Sequence, residues 1–282
     1  MSIYTWKLHL KPGSFELERL DLPGAASLDE VSARLPGGAY TTLRTYRRSQ
    51  ALGLPAHLQR LQDTTRLAGH AWQLDAPLLR AALRRALESL SAAGDLRLRL
   101  TVDFENQPGQ VYLTAQDLQA LPDALYQQGA RVVTCDLQRW LPQAKLTRFI
   151  ARAGQVRAGL PAEVNEAIMV DPQGRLMEGL SSNFFAVKDG VLWTAGEGVL
   201  GGVTRSIVMG NVQRLGLPIN LQPVRRAQIP ELEEAFITSS SRAVLPLAHI
   251  DQVVIASGQP GTLTRRLMAA YQAYLDEHLE PV

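Results

Sequence analysis

Four places in this chain combine residue types that can act together on a small molecule. Lys145 stands in LPQAKLTRFIAR between Ala144 and Leu146, where a helix is expected to begin. An amine in apolar surroundings becomes a nucleophile toward carbonyl carbon. Glu178 stands in RLMEGLSSNFFAV, a run of otherwise apolar or small residues. A carboxylate there is costly to bury unless something cationic meets it. GVLGGVTRSIV leads two glycines into a helical pattern that puts Val203, Ile207, Val208, Val212 and Leu215 on one face. Such a helix start offers backbone N–H groups and a positive dipole end to a phosphate. ITSSSRA places three hydroxyls after a strand end, where they can donate to phosphate oxygens. Each feature alone also has an ordinary explanation. A surface lysine lays its stem on apolar neighbours, and glycine and serine are common turn residues.

Taken together, an amine, a carboxylate and a phosphate cradle match the needs of pyridoxal 5'-phosphate. Its aldehyde takes a lysine Schiff base, its phosphate takes N–H groups and hydroxyls, and its ring nitrogen takes an acidic partner. The elements that must position these residues can be read from periodicity. GAYTTLRTY after a Pro-Gly-Gly turn reads as a strand, LPAHLQRLQDTTRLAG and PLLRAALRRALESLSAAG as helices, and DLRLRLTVDF and QVYLTA as strands. The pattern lapses over QDLQALPDALYQQ, read as an inter-domain connection or a short helix. Beyond it, ARVVTCDL, EAIMVD, SNFFAVKDG, VLWTA, EEAFITSSS and AVLPLAHI read as strands. AKLTRFIARAGQVRAGLP, GGVTRSIVMGNVQRLG and TLTRRLMAAYQAYLDEHL read as helices. The expected division is a small N-terminal α/β domain over 1–118, a linker over 119–128 and a larger C-terminal cofactor-binding domain over 129–282.

Composition narrows the function classes. The chain has 282 residues, 46% hydrophobic and 20% charged, long enough to frame a pocket. With 29 basic against 27 acidic residues, nothing calls for nucleic acid or an anionic membrane. RTYRR and RRALESL are local basic clusters, not a tail. One cysteine, Cys135, excludes an intrachain disulfide framework, and the five histidines lack ligand-like pairing, so no metal is expected. Cys135 is read as a buried strand residue. The absence of a signal segment and of a long apolar run sets the expectation of a cytoplasmic protein.

The order of these motifs resembles the class IV aminotransferases, the fold-type IV pyridoxal-phosphate enzymes. That family includes branched-chain and D-amino-acid aminotransferases and aminodeoxychorismate lyase. HLQRL is similar to the family's helix whose arginine holds the cofactor phosphate, which implicates Arg60. RWLPQAK resembles the segment leading to the Schiff-base lysine, here Lys145. MEGLSSNFF resembles the segment whose glutamate pairs with the pyridine nitrogen, here Glu178. GGVTR resembles the phosphate loop and places the Val203 and Thr204 amides at the phosphate. TSSSRAVLP resembles the last phosphate segment, with Ser240 where threonine is usual. The resemblance runs from about residue 38 to the C-terminus, with Lys145 and Glu178 separated by 33 residues and Glu178 and Thr204 by 26. It implies an α+β two-domain fold with a C-terminal pseudo-barrel, and a homodimer whose active site lies between the domains. His57 is read as helix packing around Arg60.

Departures from the family pattern bear on the substrate. KLTRFI lacks the asparagine or tyrosine that many members place near the cofactor's phenolic oxygen, and Arg139 is a candidate for that contact. Val102 and Asp103 stand where many members have an arginine or tyrosine for the substrate carboxylate. Arg97 and Arg99, alternating onto one strand face, are candidates in their place, with a solvent-facing role as the alternative. Tyr40 keeps an aromatic at the pocket mouth, and YTTLR leans toward the lyase branch. The expected function is transamination between an amino acid and a 2-oxo acid through Lys145. The alternatives are aminodeoxychorismate lyase and, more remotely, a non-catalytic phosphate- or nucleotide-binding module.

Overall fold

The computed structural model describes residues 2–91 and 94–282. The chain forms two compact units. The first contains residues through Gln119, then takes back Ala144–Gly154 and His278–Val282; the second contains Ala120–Gln143 and Gln155–Glu277.

The first unit starts with β1 (Ile3–Lys11) and β2 (Ser14–Leu20), then a short α1 (Leu28–Ser32). There follow β3 (Gly38–Arg44), β4 (Gln50–Leu52), α2 (Leu54–Leu67), α3 (Ala76–Glu88), β5 (Leu96–Asp103) and β6 (Val111–Asp117). The end of the second expected helix, at Ala92 and Ala93, lies outside the described residues. Five strands form an antiparallel sheet in the order β2-β1-β6-β5-β3. Alternation gives it two unlike faces. Ala39, Leu43, Leu98, Leu100, Val111 and Leu113 join Leu54, Leu58, Leu61 and Leu83 of α2 and α3 in one apolar core. The other face carries a polar row, Thr42–Arg99–Thr114–Thr5, set by the cross-strand register, with Arg99, Thr114 and Thr5 buried and Thr42 half-buried.

Arg99 shows what that row does. Its Nη1 donates to Leu28 O at 2.9 Å and Ser32 Oγ at 2.7 Å, its Nη2 to Asp29 Oδ1 at 2.8 Å, and its Nε to Thr42 Oγ1 at 3.3 Å. Nη1 and Nη2 hold α1 on the sheet, while Nε ties the guanidinium to Thr42 of β3. These contacts give Arg99, expected at a substrate carboxylate, a structural task as well. Arg99→Met should cost about 2 kcal/mol of unfolding free energy by losing charge-assisted bonds. Denaturant unfolding checks this, and an unchanged midpoint would remove the clamp from the account. Asp103 is likewise structural. Its carboxylate accepts from the amides of Glu105, Asn106 and Gln107 at 2.7–2.9 Å and shapes the turn after β5.

Residues 144–154 join the first unit through backbone pairing, a feature periodicity does not reveal. Tyr40 N–H donates to Lys145 O at 2.9 Å and Thr147 N–H to Gly38 O at 2.9 Å, and Gly38 N–H donates to Thr147 Oγ1 at 2.8 Å. A Cβ on Gly38 would collide with the Val102 carbonyl, so this corner needs glycine.

The second unit contains α4 (Asp123–Gln128), where the sequence left a linker or short helix open, and then β7 (Ala130–Cys135). The helix α5 (Arg148–Ala158) begins three residues after Lys145 and passes from the first unit to the second. Then come β8 (Glu166–Val170), β9 (Leu176–Gly179), β10 (Asn183–Lys188), β11 (Val191–Trp193), α6 (Val203–Arg214) and β12 (Ile219–Asn220). A 3-10 turn at Arg226–Glu231 leads to β13 (Glu234–Ser239), β14 (Ala243–Ile250), β15 (Val253–Val254) and α7 (Thr262–His278). A last strand, β16 (Leu279–Pro281), pairs with β4 in the first unit's own set of residues.

The sheet of the second unit runs β12-β11-β10-β13-β14-β7-β8-β9. It closes on itself, because β9 also pairs with β10 through Glu178 and Asn183. The ring β10-β13-β14-β7-β8-β9 is a barrel, which removes sheet edges and surrounds a core that includes Val132, Ile168, Phe184, Ile237 and Leu245. Glu178 therefore sits on the seam that closes the barrel. Cys135 is half-buried at the end of β7, more open than expected. Among the described residues no helix is long and apolar enough to cross a membrane.

Candidate active site

In the first unit the site begins with Lys145, which is 9% exposed. Its backbone is held from two sides. The carbonyl accepts from Tyr40, and the amide donates to Thr64 Oγ1 on α2 at 3.2 Å. The ammonium Nζ lies 4.7 Å from the centre of the Tyr40 ring, close enough for cation–π attraction. The Arg99 guanidinium lies 5.0 Å from the same ring. Tyr40 is 6% exposed and stands directly beside the candidate nucleophile, consistent with an aromatic wall for whatever the amine meets.

One and two helical turns before Thr64, α2 presents Arg60 and His57. Arg60 Nη2 donates to Thr41 Oγ1 at 2.9 Å and approaches His57 Nδ1 at 3.3 Å, and Thr41 Oγ1 lies 3.0 Å from the same ring nitrogen. His57 is fully buried. Burial first, then the Arg60 and Lys145 charges, hold its pKa well below 6.5. The ring is therefore neutral, and Nδ1 accepts from Thr41 while Thr41 accepts from Arg60. This triad orients the guanidinium, a role for His57 that the sequence reading saw only as packing. It also predicts a pH dependence. The unfolded chain protonates this histidine near 6.5 and the folded chain does not, so stability is complete above pH 6.5. It falls as pH drops through 6.5 toward the depressed folded value, by at most about 1.4 kcal/mol per pH unit. His57→Gln should flatten that acid limb, as urea unfolding at a series of pH values would show.

Arg97 lies elsewhere. Tyr40 pairs with Thr101, and Arg97 is four residues further along β5, opposite Arg44 and Gln116. At ~3.3 Å per residue it stands roughly 13 Å from the Thr101 position.

In the second unit the centre is Glu178, 3% exposed at its side chain. Arg139, 5% exposed, donates from Nε to Glu178 Oε1 at 2.8 Å. The other oxygen, Oε2, accepts from Leu200 N–H at 3.1 Å and Asn183 Nδ2 at 3.3 Å. The cation that compensates this carboxylate is thus supplied by the chain itself. Arg139, expected at a cofactor oxygen, pairs with Glu178. Asn183 bridges further, donating to Leu200 O at 2.8 Å, and so ties the barrel seam to the segment before α6.

That segment ends at Gly202, which caps α6 with no side-chain hydrogen bond. A Cβ on Gly202 would run into Asn183 Oδ1, so the residue has to be glycine. The first-turn amides of Val203 and Thr204 have no carbonyl within the helix to bind, and both residues are buried. An uncapped helix start lined by backbone N–H groups suits a phosphate. Ser240 lies in the turn between β13 and β14. On the same β13, Thr238 Oγ1 is buried without a hydrogen-bond partner among the described residues, a spare polar atom next to that turn.

A second polar cluster, unseen in the sequence, braces both loops. Glu166 at the start of β8 is 2% exposed and accepts from Arg242 Nη2 at 2.6 Å, Ser181 Oγ at 2.8 Å and Ser182 Oγ at 3.2 Å. Burial works against its charged form, but the Arg242 partner and the hydroxyls win and hold the carboxyl below its usual range. Arg242 also donates to Ser239 Oγ at 3.1 Å. Ser181 and Ser182 are thus anchored directly on the buried Glu166, and Ser239 is joined to it through Arg242. A charged residue opening an apolar strand, EAIMVD, was the available signal.

The donor set fits pyridoxal phosphate within each unit: a buried amine and a held guanidinium in one, a buried carboxylate and an uncapped glycine helix start in the other. Comparison with known proteins agrees. The family model described as amino-transferase class IV matches residues 38–250. A branched-chain-amino-acid aminotransferase of Pseudomonas aeruginosa is 29% identical over 152 residues, 51% of this chain and 50% of that protein, so the chain spans about half the length of that relative. A D-alanine aminotransferase of Listeria monocytogenes is 26% identical over 280 residues, 93% of each chain. Among solved structures, a branched-chain aminotransferase of Thermoproteus uzoniensis, 23% identical, superposes with a TM-score of 0.74 over 99% of this chain and 98% of that one, a likeness of fold. Class IV aminotransferases are pyridoxal-phosphate enzymes, and with more than half of its length matched by the family model, this chain belongs to the amino-transferase class IV family.

Proposed function

We propose that this protein moves an amino group between an amino acid and a 2-oxo acid with pyridoxal 5'-phosphate as cofactor. The observation that carries the reading is Lys145, a buried amine gripped at both backbone groups and facing an aromatic ring. When bound, the cofactor supplies an aldehyde for amine exchange and a ring that takes up the electron pair left when the substrate Cα loses its proton. Lys145 Nζ binds the aldehyde at rest and, once displaced by the substrate amine, takes the Cα proton as general base and returns it as general acid. Tyr40 restricts where Nζ can swing. Glu178, held by Arg139, Leu200 N–H and Asn183, presents a fixed carboxylate to the ring nitrogen. The candidate phosphate donors are Arg60 in the first unit and, in the second, the Val203 and Thr204 amides and Ser240 Oγ. The buried side chains around Lys145 exclude water from the amine.

The test is a half-reaction. Purified protein loaded with cofactor is mixed with single amino acids, L and D, and the visible spectrum is followed. Conversion to the pyridoxamine form with release of a 2-oxo acid is expected for at least one donor. Failure with every donor, together with formation of aminobenzoate and pyruvate from aminodeoxychorismate, would replace this reading with the lyase.

A further inference from the structure

The two basic clusters in the sequence, RTYRR and RRALESL, take no part in the chemistry above, yet the fold brings them together. A cleft of about 600 Å³ in the first unit is lined by Arg47 and Arg48 from the first cluster and by Arg84, Leu87 and Glu88 from the second. Leu90, Leu96, Pro281 and Val282 complete an apolar floor. Arg47 and Arg48 follow the end of β3 opposite to Tyr40, so the cleft is separate from the Lys145 corner.

The loop that carries these arginines is held tightly. Tyr46 and Gln50 exchange both backbone hydrogen bonds, at 2.7 and 2.9 Å, leaving Arg47, Arg48 and Ser49 as the connection. Arg48 N–H donates to Asp95 Oδ1 at 2.9 Å, and Asp95 is itself fixed by Arg44 Nη2 at 2.9 Å. Ser49 O accepts from Val282 N–H at 3.0 Å. Within this frame Arg47 and Arg48 both take left-handed backbone conformations, with φ of 50° and 71°. Glycine, asparagine or aspartate is the residue such positions favour. Two consecutive arginines there are a local conflict of the kind that gathers at functional sites. Neither guanidinium has a hydrogen-bond or ion-pair partner among the described residues, whereas Arg84 Nε donates to Val282 O at 3.2 Å. Arg47 and Arg48 thus line a cleft in which Arg84 is already bonded to Val282 O and Glu88 is the acidic side chain.

We propose that this cleft binds a small organic anion, an apolar body carrying a phosphate or carboxylate headgroup. The volume falls in the range of small-molecule sites. Guanidinium forks match either headgroup with paired N–H donors, and Leu87, Leu90 and Leu96 offer the body a dry surface. The inference does not depend on the proposed transamination.

Calorimetric titration of the cofactor-loaded protein with phenyl phosphate tests it, with benzoate, phenol and inorganic phosphate as comparison probes. One phenyl phosphate per chain is expected. Phenol and inorganic phosphate should each bind more weakly, because each lacks one half of the recognised chemistry. Whichever of phenyl phosphate and benzoate binds tighter assigns the headgroup. R47A/R48A, at exposed positions, should weaken binding roughly 10-fold or more, while Arg60→Ala should leave it unchanged. Binding that is absent, that survives R47A/R48A, or that disappears in Arg60→Ala would overturn the proposal. So would a change of oligomeric state in R47A/R48A, which would make the cleft a contact between copies.

Discussion

Lys145→Ala is expected to abolish transamination, with turnover falling by ~10³-fold or more, and to leave a protein that no longer turns yellow with pyridoxal phosphate. Loss of a single general base or acid typically costs 10²–10⁴-fold, and this residue would serve as both and as the cofactor's covalent anchor. The fold should tolerate the change. Lys145 is joined to the first unit through its own N–H and C=O, to Thr64 and Tyr40, and alanine keeps both. The ammonium's contact with the Tyr40 ring is lost. Turnover and the visible spectrum should therefore collapse while the unfolding midpoint moves little. A variant that keeps the yellow colour would mean that another amine carries the cofactor. One that unfolds would mean that Lys145 is structural.

The second large effect belongs to Glu178→Gln. A glutamine cannot keep the ring nitrogen protonated, so turnover should fall ~10²-fold or more, the scale seen when one preorganised electrostatic partner is removed. The structure adds a consequence the sequence did not suggest. Arg139 and Glu178 are 5% and 3% exposed, and removing the carboxylate takes a charged partner at 2.8 Å from a buried guanidinium. Breaking such a pair costs about 3–5 kcal/mol, and here it also loosens the seam where β9 meets β10. The double variant E178Q/R139M separates the two effects. It should regain much of the lost stability, because no charge is left stranded, yet stay as inactive as the single variant. If the double variant recovered turnover along with stability, Glu178 would be a barrel brace with no part in the chemistry. If Glu178→Gln were as stable as the parent, the ion pair would contribute nothing to the seam.

What the sequence settled is mostly local. Most of the longer strands and helices from Gly38 onward follow from period-2 and helical spacing, while the short β4, β9, β12, β15 and β16 went unread; the amine, the carboxylate and the glycine-rich helix start stand out by residue type. The N-terminal hairpin of β1 and β2, and α1, went unread, though TWKLHL alternates. The partners of these residues could not be read, because each lies far away along the chain. Arg139 is 39 residues from Glu178, and Arg242 is 76 from Glu166. Arg99 alternates with Arg97 on one strand face, and only the packing of α1 showed that its guanidinium is already occupied. Glu178 in RLMEGLSSNFFAV looked like a carboxylate awaiting a cofactor's cation. In the folded chain it closes a barrel and already has a cation of its own. Periodicity reports which face a residue takes, since that depends on backbone geometry repeated every few residues. Which charge meets which is decided by sheet closure and loop return, and those depend on contacts between distant segments that no local pattern records.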